Sequence, residues 1–288
     1  MSELATIHSW PNLERPILVV ALEGWVDAGL AGSTAAAALL AAMPNEVLAT
    51  FDADELIDHR ARRPTLRIVD GVSTELRWPE VCLHLATNRT GRSVLMLTGP
   101  EPDMRWHRFI AETVSLGSRL GVEMMIGLGA FPAPVPHTRP VRLAATASTA
   151  ELAADVGFIP HTIDVPAGIE AGIEQAFTKA GIPAVGLWAR VPHYVSAMPY
   201  PAAAAALLEQ LARLAEIEID TKALSASAST TFAQIEQLIA GSEEHGAMVR
   251  QLETQLDAEP DKAAGNFGDL PSGDEIAAEL ERFLRNED

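Results

Sequence analysis

Short runs of consecutive apolar residues, separated by stretches with helical spacing, constrain the fold of this chain more than any other feature. The run from Ile17 to Leu22 is unbroken and rich in branched residues, which is typical of a strand buried on both faces of a sheet. Similar runs begin at Ser93, Val122 and Ala184, and stretches with helical spacing lie between them. This alternation predicts an α/β fold with a mainly parallel sheet that helices cover on both faces.

A β-hairpin is predicted between the first two of these runs. Two segments of alternating apolar and polar residues, Leu66 to Val69 and Thr74 to Trp78, flank the pair Asp70-Gly71. An Asp-Gly pair suits the two positive φ angles of a tight hairpin turn. We expect the hairpin to be an antiparallel excursion that makes the sheet mixed, with Val81 to Leu85 as the strand that returns to it.

The sequence changes after Tyr200 from alternating strands and helices to helices alone. An apolar stripe with helical spacing runs from Phe232 to Leu256 and is interrupted near Gly241. We therefore predict an α/β core domain over residues 1–200. A helical extension is predicted over residues 201–257, packed either on the core or on a neighbouring subunit.

The last 31 residues, 258–288, are predicted to form an acidic linker and a short amphipathic helix. Gly, Pro and Asp dominate the linker, and such a composition does not favour a packed structure. Ser272 and Glu275 have the spacing of a capping box, and Ile276, Leu280 and Leu284 follow on one helical face.

The charge balance limits the partners of this chain. The 288 residues include 39 acids and 21 bases, which gives a net charge of −18. A surface of this sign repels nucleic acid and anionic membranes, so we expect neither as a partner.

The single cysteine, Cys82, cannot form an internal disulfide, and no apolar stretch approaches the roughly 20 residues of a membrane span. We expect a cytoplasmic protein.

Two glycine-containing loops follow predicted strands and carry acidic residues. In the first, Glu23 to Gly32, the glycines lack the spacing of dinucleotide and P-loop motifs, and Glu23 and Asp27 would repel phosphate. It is either one wall of a ligand site, with Trp25 and Gly29, or a tight turn in which Asp27 caps the next helix.

The second loop also has two interpretations. Its two carboxylates are either an acid–base pair, or one is a helix N-cap at Asp103 and the other a solvated charge. Its candidate residues are Glu101, Asp103, Arg105 and Trp106.

Two further loops carry histidines after predicted strands. His137 and Arg139 lie among prolines, which either hold a site still or form a rigid surface for subunit contacts. His193 and Tyr194 follow the last predicted strand. Because parallel strands end at the same edge of a sheet, we expect all four loops to form one ligand or interaction surface. No metal-ligand spacing and no nucleophile elbow occurs, so we predict no metal and no cofactor.

Four motifs in order resemble one protein family. They are Glu23-Gly24-Trp25-Val26-Asp27-Ala28-Gly29, Gly99-Pro100-Glu101-Pro102-Asp103 with Arg105-Trp106, Pro136-His137-Thr138-Arg139-Pro140, and Val191-Pro192-His193-Tyr194. Together they resemble the actinobacterial branch of the proteasome assembly chaperone family, second type, over residues 10–257. The resemblance implies a three-layer, phosphorylase/hydrolase-like α/β fold and self-association into small rings, such as trimers.

Two functional hypotheses follow. The first is a non-enzymatic assembly chaperone or interaction protein that forms a homo-oligomer and contacts a protein partner; the resemblance and the lack of a recognisable catalytic set favour it. The alternative is a small-molecule hydrolase or phosphorylase-like enzyme with its site at the carboxyl ends of the sheet strands. Its working residues would be Glu23, Asp27, Glu101, His137 and Arg139.

Overall fold

The structure, a computed structural model, describes residues 4–24, 26–89, 91–160 and 162–258. Trp25 of the first glycine-containing loop lies outside the described residues. So do the linker and the terminal helix predicted from residue 259 onward. None of the helices in the described part is long and apolar enough to cross a membrane.

The described residues form ten strands and eight α-helices. The strands are β1 (Ala5–Ile7), β2 (Ile17–Glu23), β3 (Asn45–Phe51), β4 (Thr65–Val69), β5 (Val72–Arg77), β6 (Cys82–Thr87), β7 (Ser93–Pro100), β8 (Met124–Ala133), β9 (Leu143–Ala147) and β10 (Ala184–Pro192). The helices are α1 (Ala31–Ala42), α2 (Ala53–Leu56), α3 (Trp106–Arg119), α4 (Ala150–Val156), α5 (Ile169–Lys179), α6 (Pro201–Ala215), α7 (Lys222–Ala240) and α8 (Glu243–Asp257). Short 3-10 turns follow β2 and β10, at Ala28–Leu30 and His193–Val195.

Eight strands form one mixed sheet in the order β1-β3-β6-β7-β2-β8-β10-β9. The four central strands, β7, β2, β8 and β10, are parallel. Each outer strand pairs antiparallel with its inner neighbour. The predicted α/β class with a mixed sheet is confirmed.

The source of the mixed character was predicted wrongly. The β4–β5 hairpin forms a separate two-stranded sheet and does not join the main one. The main sheet is mixed because β1, β3, β6 and β9 are antiparallel to their neighbours. Between β6 and β7 the reason is chain length: the connection over residues 88–92 is too short for the crossover that parallel pairing requires.

Helices cover both faces of the sheet, which makes three layers. Ile17 and Val19 of β2 pack in one apolar core with α1 and α6. Leu18 and Val20 of the same strand pack in a second core with α3 and α5. All four side chains are at most 2% exposed. Burial on both faces explains why this run contains no polar residue.

The three C-terminal helices differ in how deeply they are buried. Helix α6 lies in the same apolar core as α1, whereas α7 leaves part of the predicted stripe accessible. Ile235 and Leu252 are buried, but Phe232 and Leu238 are exposed. Helix α7 ends at Gly241, as predicted. The division of the chain into domains at residues 200 and 257 stays a prediction.

The β4–β5 hairpin is exposed along its whole length, and each of its eleven strand residues faces solvent. Asp70 and Gly71 have φ angles of 49° and 82°, as the predicted tight turn requires. Six large apolar side chains in and beside the hairpin are exposed: Leu66, Ile68, Val69, Val72, Leu76 and Trp78.

Candidate functional site

The four candidate loops follow β2, β7, β8 and β10, which are adjacent and parallel, so they lie at one edge of the sheet. Their side chains nevertheless divide among three places. One group lines an acidic pocket, a second contacts α7 and α8, and a third packs beside α2. That these residues serve one common function stays a prediction.

Asp27 binds the N-terminus of α1. Its Oδ1 accepts a hydrogen bond from the Gly32 N–H at 2.7 Å. Its Oδ2 accepts two from Ser33, one from the N–H at 3.0 Å and one from the hydroxyl at 2.7 Å. Leu30, the residue before α1, provides no side-chain cap, so Asp27 takes over that role from outside the helix.

Gly29 lets the same loop approach the start of α6. Its φ is +64°, its N–H donates to the Ser196 carbonyl at 2.7 Å, and its own carbonyl accepts from the Tyr200 N–H at 2.8 Å. A Cβ at this position would lie 2.6 Å from the Tyr200 Cβ. Only glycine fits both the backbone angle and the space.

We expect Gly29→Ala to lower the free energy of unfolding by about 2–4 kcal/mol, because backbone strain and overpacking act together. Gly71→Ala is the matched control, since Gly71 also has a positive φ but a Cβ added there would meet no atom within 4 Å. The control should lose only about 1 kcal/mol. Urea unfolding measures both, and equal losses would contradict the close approach at Gly29.

Glu101 binds the N-terminus of α5 in the same way. Its Oε1 accepts a hydrogen bond from the Ile169 N–H at 2.6 Å, and Gly168, which precedes the helix, has no side chain to cap it. Glu101 is 9% exposed. Its backbone N–H donates to the Glu23 carbonyl at 2.6 Å, which joins the first two loops.

Two glutamates that the sequence analysis missed lie beside these groups. Glu170 is buried, and its Oε1 has no hydrogen-bond partner among the described residues. Burial, followed by the charges of Glu174, Glu101 and Asp27, raises the pKa of Glu170 to about 8. Burial also raises the pKa of Glu174, while a hydrogen bond from the Thr146 hydroxyl at 2.6 Å opposes that shift.

Asp27, Glu101 and Glu170 line one acidic pocket, with a volume of about 460 Å³ when its open mouth is included. The pocket lies at the carboxyl ends of the central strands, beside the N-termini of α1 and α5. Two sequence signals pointed to it: the i, i+4 spacing of Glu170 and Glu174, and the small residues Gly127 and Gly129 on β8. Its lining includes Glu23, Asp27, Ser33, Glu101, Glu170 and Trp188.

We expect Glu170→Gln to flatten the dependence of stability on pH. The unfolded chain loses the Glu170 proton near pH 4.5, whereas the folded chain keeps it up to a pKa of about 8. Between these values the folded state binds more protons, so its stability falls as the pH rises, by up to about 1.4 kcal/mol per pH unit. Urea unfolding at about pH 5 and about pH 7.5 measures the slope. The exposed Glu151→Gln is the control, and an unchanged slope in Glu170→Gln would contradict the raised pKa.

His137 lies buried between Tyr194 and α7. Its backbone N–H donates to the Tyr194 Oη at 2.8 Å, its Nδ1 lies 2.8 Å from the same oxygen, and its Nε2 lies 2.8 Å from Oε1 of Glu236. A carboxylate only accepts, so Nε2–H donates to Glu236; in the neutral imidazole Nδ1 then accepts from the Tyr194 hydroxyl. Burial raises the pKa of Tyr194, which keeps that hydroxyl protonated. The Phe232 ring packs on the imidazole at 5.3 Å.

The next two residues of this loop contact α8. Arg139 binds Asp257 through two hydrogen bonds of 2.9 Å and 2.8 Å, and Glu253 through a third of 3.1 Å. The Thr138 hydroxyl donates to Glu253 at 2.5 Å. The hydrogen bond with Arg139 lowers the pKa of Asp257, which favours the ion pair. The proline-rich loop thus contacts helices of its own chain.

His193 is exposed and takes little part in this cluster. Its Nδ1 lies 3.4 Å from the Ala133 carbonyl, and its ring packs edge-on to Tyr194 at 5.4 Å. Of the two residues predicted from this loop, Tyr194 is therefore the one that joins the histidine cluster.

Asp103 does not cap α3, so that prediction is wrong. The residue that precedes α3 is Arg105, in the left-handed conformation with φ of 59° and without a side-chain cap. The Asp103 carboxylate instead accepts hydrogen bonds from the Asp58 N–H at 2.8 Å and from Arg62 Nε at 3.2 Å. These contacts draw it away from the helix and towards the chain after α2.

Arg105 and Trp106 also have structural partners. Arg105 Nε lies 2.7 Å from Oε2 of Glu55 in α2. The Trp106 indole N–H donates to the Pro102 carbonyl at 2.6 Å, and the ring packs against the core on the α3 and α5 side. Among the described residues, no cluster of three or more His, Cys, Asp or Glu side chains suits a metal ion.

The chain is similar to several known proteins. The PAC2 family profile matches residues 21–239. Rv2714, a Mycobacterium tuberculosis protein of unknown function, is 38% identical with a TM-score of 0.84, over 92% of this chain and 94% of that one. A Corynebacterium glutamicum protein of unknown function is 35% identical with a TM-score of 0.85, over 90% of this chain and 98% of that one.

A third solved structure comes from a protein with a named role. Rv2125, a proteasome-assembly chaperone homologue of Mycobacterium tuberculosis, is 36% identical to this chain with a TM-score of 0.75. The similarity covers 81% of this chain and 99% of that one. Among proteins with curated descriptions, none matches.

Proposed function

The chain belongs to the PAC2 family, and on that premise we propose that it is a non-enzymatic assembly chaperone that binds proteins, including copies of itself. Its similarity to an actinobacterial proteasome-assembly chaperone homologue supports a role of this kind. The proposal keeps the cytoplasmic location expected from the sequence. It requires no nucleic acid, membrane or cofactor.

The observation that carries self-association is the exposed β4–β5 hairpin. An isolated two-stranded hairpin is only marginally stable in water, yet this one exposes six large apolar side chains. A cluster of several large exposed apolar side chains commonly marks a protein interface. A partner that covers them would supply the burial that the hairpin lacks within its own chain.

Charge favours a second copy of this chain as that partner. Residues 60–77 carry five arginines against two acids, a net charge of +3. The whole chain has a net charge of −18, so the rest of it carries −21. The excess lies in the chain that leads into the hairpin, where the exposed Arg60 and Arg63 are attracted to the acidic surface of another copy. Contacts between an arm and a different surface of the next subunit close into a ring when the rotation allows it. We propose a small ring, such as a trimer.

The contacts of the candidate residues support a non-enzymatic role. Asp27 and Glu101 each bind a helix N-terminus, while His137 and Arg139 bind α7 and α8. The enzyme hypothesis needed Glu101 and His137 on one substrate, but Glu101 lines the acidic pocket and His137 does not. Most of its working residues already have structural partners.

Proteasome subunits are the first protein partners to test, because a relative is described as a proteasome-assembly chaperone homologue. Proteasome α subunits and β subunits of the same organism are purified separately and mixed with this chain, and native mass spectrometry follows the products. We expect a complex of this chain with α subunits and faster formation of α rings. If neither subunit binds and ring formation keeps its rate, the proteasome is not the partner.

A further inference from the structure

The acidic pocket contains a buried polar atom that the fold leaves without a partner. Glu170 is 8% exposed, and its Oε1 makes no hydrogen bond to any described residue. An unsatisfied buried polar atom destabilises the fold, so most buried polar groups in native proteins have a hydrogen-bond partner. Glu170 is one of the residues that line a pocket with an open mouth.

Glycines in the sheet make the room for this carboxyl group. A Cβ at Gly127 would overlap the Glu170 carboxyl, and one at Gly129 would overlap the Trp188 indole. Larger apolar residues at these two positions would fill this face of the sheet, as Val20 does on β2. The sheet instead holds a carboxyl group and an indole side by side at the pocket.

The other groups in the pocket determine the charge of a suitable ligand. Helix N-termini normally attract anions, but Asp27 and Glu101 already occupy those of α1 and α5. Glu23 adds a further negative charge, and it is exposed. An anion would therefore meet three carboxylates of the protein, whereas a cation would be attracted.

We propose that this pocket binds the ammonium group of a small primary amine, with Glu170 as its hydrogen-bond acceptor and Trp188 against its aliphatic stem. An ammonium group has three donors and no acceptor, which suits a site lined by carboxyl oxygens. The indole face attracts cations and packs on methylene groups. The Trp188 N–H lies 3.3 Å from the Thr146 hydroxyl oxygen, which fixes the ring.

The size of the pocket agrees with a small ligand head. Its interior has room for about two or three water molecules, and an ammonium group is about as large as one water. The donor set does not suit a metal ion, because no metal-binding cluster occurs in the described part of the chain. A short amine is therefore the ligand class that fits both the volume and the charge.

Binding should release a proton from the protein. The side chains that face Glu170 are Glu174 on its own helix, Glu101 from the β7 loop and Asp27 from the β2 loop, all acidic. The guanidinium of Arg62 lies with the Glu101 side chain beside Gly24, and it also binds Asp103. These surroundings raise the pKa of Glu170 to about 8 without ligand. A bound cation favours the ionised form, so amine affinity should rise about tenfold per pH unit below pH 8.

Calorimetric titration of the full chain with n-butylammonium chloride tests the proposal, with 1-butanol as the neutral probe of similar shape. We expect saturable binding of the amine, an affinity up to roughly eightfold higher at about pH 7.5 than at about pH 6.5, and no binding of 1-butanol. Proton release is measured on the unmodified protein by repeating the titration in two buffers of different ionisation enthalpy. Equal binding of both probes, or no release of protons, would overturn the proposal.

Variants locate the site. Glu170→Gln should weaken amine binding at least tenfold, while the exposed Glu151→Gln on α4 should leave it unchanged. Trp188→Phe keeps an aromatic wall and should weaken binding less than Glu170→Gln. If Glu170→Gln folds poorly, the site is located on the unmodified protein from the indole N–H signal of Trp188 in nitrogen-15 spectra. A shift of that signal upon addition of amine supports the proposal, and shifts confined to other tryptophans refute it.

Discussion

The substitution Ile68→Asp is expected to convert the proposed oligomer into monomers at micromolar concentration. Ile68 is 60% exposed in the single chain, so aspartate costs little there. In the proposed interface the same position is covered, and an unpaired charge that is buried costs about 3–5 kcal/mol. That penalty weakens association by roughly 100-fold or more, since each 1.4 kcal/mol is a factor of ten. Size-exclusion chromatography with light scattering measures the change in mass.

The matched control is Leu238→Asp on α7. Leu238 is 67% exposed, so both variants introduce the same charge at an accessible apolar position. Only the change in the hairpin should reduce the mass. If Ile68→Asp keeps the mass of the unmodified protein, or if both variants lose mass alike, the hairpin is not the specific contact. Circular dichroism of both variants confirms that the fold is retained.

The substitution His137→Ala is expected to release α7 and α8 from the body of the protein. It removes two side-chain hydrogen bonds, to Tyr194 and to Glu236, and the ring contact with Phe232. The loss of a buried group with these partners costs about 2–4 kcal/mol. Local opening should therefore become roughly 30- to 1000-fold more frequent. Hydrogen–deuterium exchange of α7 and α8 peptides measures this local opening. The strands of the central sheet should keep their protection and serve as the internal reference.

His193→Ala provides the comparison. His193 is exposed, and its ring contacts the Ala133 carbonyl at 3.4 Å and the Tyr194 ring at 5.4 Å but neither α7 nor α8 in any described contact, so its removal should leave the exchange of α7 and α8 nearly unchanged. Arg139→Gln should have an intermediate effect, because Arg139 is only partly buried and binds Asp257 and Glu253 at the surface. Equal exchange in the two histidine variants would show that His137 does not hold the helices.

Much of the fold could be predicted from local patterns. The apolar run at Ile17 to Leu22 indicates a strand buried on both faces because that burial removes every polar position. The Asp70-Gly71 pair defines a hairpin because few other residues adopt its backbone angles. Helices α7 and α8 separate at Gly241 because glycine is a poor helix former. These features depend on neighbouring residues only.

Features that depend on distant residues could not be predicted in this way. His137 pairs with Glu236, 99 positions further along the chain, and Arg139 pairs with Asp257, 118 positions away. No local pattern indicates which acid of an acidic chain such a residue will meet. The hairpin was wrongly placed in the main sheet for the same reason, because its turn defines only how its two strands pair with each other.

The candidate site was predicted in part. The common sheet edge followed from parallel strands. The expected helix cap at Asp27 is present in the hydrogen bonds to Gly32 and Ser33, while the alternative, that the same loop is one wall of a ligand site, stays a prediction. Glu170 was missed because a glutamate in the first turn of a helix usually faces water. Its burial depends on Gly127, which lies on a neighbouring strand 43 positions earlier.

The most direct test of the central claim is a photo-cross-link from the hairpin. A photoreactive phenylalanine analogue replaces Ile68, the purified protein is irradiated at micromolar concentration, and the linked peptides are identified by mass spectrometry. Mixing of isotopically light and heavy protein before irradiation separates links between chains from links within one chain. We expect mixed light–heavy links that join residues 65–77 to an acidic surface of another copy. Links confined to one chain, together with the mass of a monomer, would contradict it.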